Sequence, residues 1–373
     1  MNPDFDIILT ASLVSAACSI PGVFLVLRKM SMMSDAIGHA ILPGIVIGFF
    51  ITQDLSSPWL IIGAGLTGLL TVFLVEVINR HQLIKEDAAM GMVFPLFFSI
   101  GVILVTLFAR NVHIDTDAVL LGELAFVPYD RLWIGDINIG PRAAWVMGIL
   151  FLINLFLMFL FFKELKLSTF DKSIAIVLGF SPVIIHYALM TSVSITAVGA
   201  FDAVGSILVV AFMVVPAGCA YLLTEDLKWI IILSLIIGTV SSIIGYYLSL
   251  GFDSSIAGSI TTVLGLIFIL SFVFSPKRGL FAVAKRRKKQ RYEFASLALL
   301  IHLNNHEGTK NEKKESELNH LQRHFKWNPI FSASIVNNMK MDEMVIEEEN
   351  HLKLTSKGED FVAQKKKEFF STV

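Results

Sequence analysis

The chain has 373 residues, of which 55% are hydrophobic, and a mean hydropathy of +0.71. That excludes an ordinary soluble protein, because apolar blocks of about 17–25 residues, the length that crosses a bilayer, recur up to about residue 275. The net charge of −1 conceals a run of six bases at 285–291 (KRRKKQR) and a slightly acidic stretch, 292–373, with 11 Lys/Arg against 13 Asp/Glu. The composition therefore predicts a membrane domain over 1–280, a basic juxtamembrane linker over 281–291 and a small soluble domain over 292–373.

Nine apolar segments follow one another, at about 6–27, 34–51, 58–79, 88–109, 143–162, 183–199, 203–223, 229–250 and 257–275. Segment six is short and is expected to be either a span or half of a broken hairpin with segment seven, so the chain reads as eight to nine transmembrane helices. Positive residues follow the odd-numbered segments: Arg28/Lys29, Arg80/Lys85, Lys163/Lys166/Lys172, Lys228 and Lys277 onward. The positive-inside rule then places the N-terminus outside and the C-terminal domain in the cytoplasm. The loop 110–142 breaks the pattern with Arg110, Arg131 and Arg142, but it also holds Asp115, Asp117, Glu123, Asp130 and Asp136, and reads as a structured outer loop. Asp4 and Asp6 precede the first apolar run and Arg28/Lys29 follow it, the wrong polarity for a cleaved signal, so this run reads as a retained span. Cys18 and Cys219 lie in apolar stretches and read as small buried hydrophobes.

The second segment carries Asp35 and His39 four residues apart. One helical turn separates them, so both side chains fall on one face, about 6 Å apart along the axis. A carboxylate and an imidazole on one face can ligate a divalent metal, and ionisable groups inside a bilayer tend to face a polar path. The same spacing also suits a hydrogen-bonded pair that holds two helices together. Pro43 is expected to interrupt the helix just beyond the pair. A second Asp-Ala-aliphatic-Gly stretch, Asp202 to Gly205, opens segment seven. Asp202 there can line a path as a repeat-related residue or cap a helix N-terminus. On the charge argument 168–182 is cytoplasmic, with Asp171 capping a short helix that ends at Gly179, either a docking knob or a plain connection. Gly63 to Gly68 has the glycine spacing of a phosphate loop, but Leu69 and Leu70 follow in place of Lys and Ser/Thr, so ATP hydrolysis is expected from another polypeptide. Gly63, Gly65 and Gly68 predict close helix packing instead.

MSMMSDAIGHAILPG (30–44), EDAAMGMVFPLFFSIG (86–101), DTDAVLLGEL (115–124), STFDKSIAIVLG (168–179) and FDAVGSILVVAFMVVPAGCAYLLT (201–224) together resemble the membrane permease subunit of ABC-type manganese, zinc and iron importers. The resemblance covers about 1–280. It implies an all-α polytopic membrane protein that is not itself an enzyme, dimerised with a second permease subunit, identical or sister. It also implies a cytoplasmic ATPase subunit, an extracytoplasmic metal-binding protein, a bacterial cytoplasmic membrane and a transported Mn, Zn or Fe ion with no covalent cofactor. Asp35 and His39 are implied in metal passage and gating. Residues 168–180 are implied as the ATPase coupling helix, with Phe170, Asp171, Ala175 and Gly179 as its candidate residues.

Beyond the basic run, 292–303, 315–325 and 329–341 read as helices, and 344–348 and 351–354 as two strands around Glu349-Asn350. Helix, helix, helix, hairpin is the winged-helix order, and 341–361 resembles the wing of metal-dependent repressors of the diphtheria-toxin-repressor type. The expected fold of the tail is thus a small α+β winged-helix-like domain. The helix 329–341 offers only Lys340 as a base, which disfavours DNA and favours a regulatory or assembly role. His302, His306, His320, His324 and His351 are candidate metal sensors, with His320 and His324 one turn apart. The competing functions are an ATP-independent secondary metal transporter and a membrane-tethered, metal-responsive DNA-binding regulator.

Overall fold

The computed structural model describes residues 2–53, 57–79, 85–108, 123–134 and 137–370, which divide into two compact units, Met1–Gly279 and Leu280–Val373. Arg80, Arg110, Asp115, Asp117, Asp136 and most of the 115–124 motif lie outside the described residues.

The first unit is a helical bundle. Its elements are α1 (Pro3–Leu27), α2 (Met33–Ala40), α3 (Leu42–Thr52), α4 (Pro58–Asn79), α5 (Glu86–Phe108), a short hairpin of β1 (Arg131–Ile134) and β2 (Ile137–Pro141), α6 (Arg142–Leu160), α7 (Phe162–Phe170), α8 (Lys172–Val177), α9 (Pro182–Val204), α10 (Ser206–Leu223), α11 (Leu227–Phe252) and α12 (Ile256–Phe274). Among the described residues nine stretches are long and apolar enough to cross a membrane, α2 and α3 together making one of them. The central helix is α1, with 72% of its apolar window buried against 17% for α6. It packs against α6, α9, α10 and α11. The exposed faces of α4, α5, α6, α11 and α12 are lined by large apolar side chains, as contact with lipid requires.

Polar groups inside the bundle are paired across helices. Asn154 of α6 donates to the Ala17 carbonyl of α1 and to Thr196 Oγ1 of α9, and Ser192 donates to its Oδ1. Asp6, whose side chain is fully buried, meets Arg131 Nη2 at 2.7 Å, and Asp4 accepts from the Tyr246 hydroxyl at 2.5 Å. These bonds fix the N-terminal end of α1 to β1 and α11. The expected close packing at the glycines of α4 is present. A β-carbon on Gly63 would overlap the Gly44 carbonyl of α3, and one on Gly68 would overlap Ser194 Oγ of α9.

Segment six is a full helix, not half of a broken hairpin. Gly199 and Asp202 make its end read as a loop, yet α9 runs 23 residues to Val204. A β-carbon on Gly199 would lie 2.6 Å from Leu150 Cδ1 of α6, so a larger residue there would have to displace that side-chain end. The chain breaks only at Gly205, at φ 79° and ψ 166°, a conformation that glycine adopts without steric cost.

The second unit has α13 (Leu280–His306), α14 (Glu312–Glu315), α15 (Leu318–His324), α16 (Pro329–Met341), an antiparallel hairpin of β3 (Val345–Glu348) and β4 (His351–Leu354), and α17 (Ser356–Phe370). Ala295, Leu299, Leu300 and Leu303 of α13 meet Leu321, Ile335, Val336, Met339, Val345, Leu352 and Val362 in one apolar core. Glu349 and Asn350 both have positive φ, 48° and 66°, the two-residue turn whose twist matches the strands it joins. The basic run 285–291 is helical. It lies within α13, where Lys and Arg are good helix formers.

Candidate functional site

Asp35 lies in the first turn of α2 and His39 in its last. Their side chains meet at 3.5 Å (Nε2 to Oδ1), and each remains 37–38% exposed although Ala36, Ile37, Gly38 and Ala40 between and beyond them are buried. One face of α2 is thus sealed into the bundle while the face carrying both side chains is open. His39 is flanked by Phe94 and Phe98 of α5, with ring centroids at 5.8 and 6.4 Å. The sealed face sits on α9. Gly38 lies against the Phe201 ring, and a β-carbon there would come within 2.5 Å of Phe201 Cζ. The break between α2 and α3 falls at Ile41, with Pro43 in the first turn of α3, where its missing N–H would have had no helical acceptor.

Asp202 does not open a span and does not cap a helix N-terminus. It lies in the last turn of α9, exposed, and the residue that precedes α10 is Gly205. The two Asp-Ala-aliphatic-Gly stretches therefore differ in setting. Gly38 is inside a helix, whereas Gly205 ends one. A carboxylate at a helix C-terminus faces the negative end of the macrodipole, so Asp202 gains nothing from its own helix.

Within 168–180 the end of α7 is followed by α8, a short helix closed at both ends. Asp171 Oδ1 accepts from the Ile174 N–H, and at the other end Gly179, at φ 85°, lets its own N–H reach the Ile176 carbonyl and the Phe180 N–H reach that of Ala175. That is the Schellman arrangement. The six residues of α8 are far fewer than a free helix needs in water, so the caps do much to hold it. Phe170, Ile174, Ile176, Val177 and Leu178 are exposed around it, and Val177 is 85% accessible. Ala175 faces the other way. It is fully buried and anchors the helix to its own bundle.

Arg28 was legible in the sequence only as a topological charge. Its guanidinium donates to Ser168 Oγ at 2.8 Å and to Thr169 Oγ1 at 3.2 Å, and lies 3.4 Å from His186 Nδ1. Burial lowers its pKa, but an arginine so placed stays charged at neutral pH. It joins the end of α1 to α7 and α9 across a cavity of about 350 Å³ that is also lined by Met33, Glu76 and Lys172. Because its partners lie about 140 to 158 residues away, no local spacing announces them.

The ABC 3 transport family model matches residues 5–275. The chain belongs to that family. Its relatives in the family include a "Zinc transport system membrane protein TroD" from Treponema pallidum, 42% identical over 353 residues, spanning 95% of this chain and 96% of that protein. A "Manganese transport system membrane protein MntD" from Bacillus subtilis is 41% identical, spanning 73% of this chain and 92% of that one. A solved structure described as PsaBC from Streptococcus pneumoniae in complex with Fab superposes with a TM-score of 0.61 at 30% identity, covering 73% of this chain and 92% of that one. The family match stops short of α13. The 353-residue alignment to the T. pallidum relative is longer than the whole first unit and so extends into the tail.

Proposed function

We propose that this chain is the permease subunit of an ATP-driven importer of Mn²⁺, Zn²⁺ or Fe²⁺. The observation that carries the reading is the open Asp35/His39 pair on a membrane-spanning helix of an ABC 3 family chain. Two ligand atoms are too few for a closed site. The remaining ligands come from a second permease subunit, identical or sister, from Asp202, from backbone carbonyls near the α2–α3 break, or from water. A cation beside Asp202 would also offset the unfavourable macrodipole at the end of α9.

The capped α8 is the coupling helix. Its exposed apolar residues, next to Lys163, Lys166 and Lys172, suit a groove in a cytoplasmic ATPase subunit, with Phe170 and Val177 as contacts and Asp171, Ala175 and Gly179 holding the shape. Arg28 bonds the end of α7, the element just before that helix, beside a cavity that Lys172 of α8 and Met33 of α2 also line, so ATP-driven movement of α8 has a route toward the metal pair. An extracytoplasmic metal-binding protein delivers the ion at the opposite end. The charge pattern places the N-terminus outside the bacterial cytoplasmic membrane and the tail in the cytoplasm. The hairpin and the helices before it support a winged-helix-like tail with a regulatory or assembly role. Lys340, the one base on α16, is ion-paired to Glu347, which further disfavours DNA.

The test is metal uptake by proteoliposomes that hold the chain with its co-purified ATPase, with the three metals in competition. Asp35→Asn and His39→Gln should each abolish ATP-dependent uptake while leaving insertion and ATPase binding intact. Normal uptake in both variants would remove the site assignment, and uptake by the chain alone without ATP would favour a secondary transporter.

A further inference from the structure

The tail gathers four histidines and one carboxylate that the transport reading does not use. His302 and His306 lie one turn apart on α13. Glu315, at the end of α14, brings Oε2 to 3.4 Å from His302 Nε2 and to 3.4 Å from His320 Nδ1 of α15. Donor atoms of His302, His306 and Glu315 all lie within 4.8 Å of one another. The His302 ring centroid is 4.7 Å from that of His306 and 4.8 Å from that of His324, and the His320 and His324 rings are 5.9 Å apart. His351 stands apart from this group and meets Ser316 instead.

Packing alone accounts poorly for the arrangement. His302 Nε2 also lies 3.2 Å from the Glu315 carbonyl and His324 is exposed, but His320 Nδ1, though 3.4 Å from Glu315 Oε2, is buried and makes no hydrogen bond among the described residues. The segment these residues hold is also weakly anchored by apolar contacts. No residue of α14 is buried, and α15 buries Leu321 alone. Backbone bonds tie 316–318 to β4 (Leu352 N–H to the Ser316 carbonyl, Leu318 N–H to the Asn350 carbonyl), and His302 to Glu315 is a polar contact that joins α14 to α13.

We infer that the tail carries its own divalent transition-metal site, built on His302, His306 and Glu315 and completed by His320 or His324. Ligands about 2.0–2.1 Å from a tetrahedral ion stand roughly 3.4 Å apart, so closing the site from 4.8 Å needs about 1.4 Å of approach at its widest edge. An imidazole-rich set with one carboxylate suits Zn²⁺ and favours it over Mn²⁺. Binding ties α14 and α15 to α13 and orders the stretch between them. The site stands independently of the transport reading. Only its consequence rests on that reading: a tail that responds to the kind of ion the membrane unit passes.

The experiment uses the full chain in detergent, purified without a histidine tag, dialysed against Zn²⁺ or Mn²⁺ and assayed for metal per chain by mass spectrometry. Hydrogen exchange is followed in parallel. His306→Gln with Glu315→Gln should lose a full equivalent of Zn²⁺ or bind it at least about tenfold more weakly. Asp35→Asn with His39→Gln should keep that equivalent, which separates this site from the membrane pair. In the unsubstituted chain Zn²⁺ should slow exchange across 307–324, and Mn²⁺ should do so only at higher concentration. That readout needs no variant to fold. Unchanged exchange in 307–324 on adding Zn²⁺, or unchanged Zn²⁺ binding in the tail variant, would overturn the inference.

Discussion

Removing both caps of α8 should uncouple the chain from its ATPase without touching the metal pair. The helix has six residues, and Ala175 is the only one that is buried, so little besides Asp171 and Gly179 defines it. Loss of the Asp171 cap costs about 1 kcal/mol, within a range of roughly 0.5–2. A β-branched residue at the left-handed conformation of Gly179, φ 85°, costs about 1–2 kcal/mol more. Together, about 2–3 kcal/mol shifts the local folding equilibrium roughly 30- to 150-fold. Asp171→Ala with Gly179→Val should therefore weaken ATPase binding to the solubilised permease by about 10- to 100-fold in biolayer interferometry and reduce uptake with it. Asp171→Ser, which keeps a capping oxygen, should bind nearly as the unsubstituted chain does. If the capless chain binds and transports normally, or if Ser is as damaging as Ala, the capped helix is not what the ATPase reads.

Two further outcomes rest on burial. Arg131→Ala leaves the fully buried Asp6 carboxylate alone, and its Oδ1 already lacks a hydrogen-bond partner among the described residues, so the thermal unfolding midpoint in detergent should fall with a loss of about 3–5 kcal/mol. Asp6→Asn with Arg131→Gln should recover most of that, and an unchanged midpoint in Arg131→Ala would show that the pair contributes nothing. Gly38→Val forces a side chain into the Phe201 ring and should destabilise the bundle by about 1–3 kcal/mol. Phe201→Ala in the same chain should relieve the overlap, and a melting curve for Gly38→Val alone that matches the unsubstituted chain would refute the contact.

How far the sequence carried each element follows from the range of the forces involved. The spans were legible because a bilayer imposes length and apolarity segment by segment. The α8 caps were legible because Asp171 and Gly179 act on backbone groups within three or four residues of themselves. The hairpin at Glu349-Asn350 was legible because alternation and a turn are also local. Asp202 was misplaced for the converse reason. In sequence, Gly199 and Gly205 look alike as helix breakers. Gly199 continues α9 beside Leu150, and it is Gly205, with its positive φ, that ends the helix.

The sequence by itself determined the membrane class, nine apolar segments with the sixth left between a span and half a hairpin, the tail as a separate unit and the one-turn spacing of Asp35 and His39, all consequences of composition and helical period. Tertiary structure decided what those residues face. It opened one side of α2 and sealed the other on Phe201, paired Asp6 with Arg131, and set Arg28 between α1, α7 and α9. It also drew His302, His306, Glu315, His320 and His324 from three helices into one cluster. These are contacts between residues far apart in the chain or on separate elements, and no periodicity within a single segment encodes them.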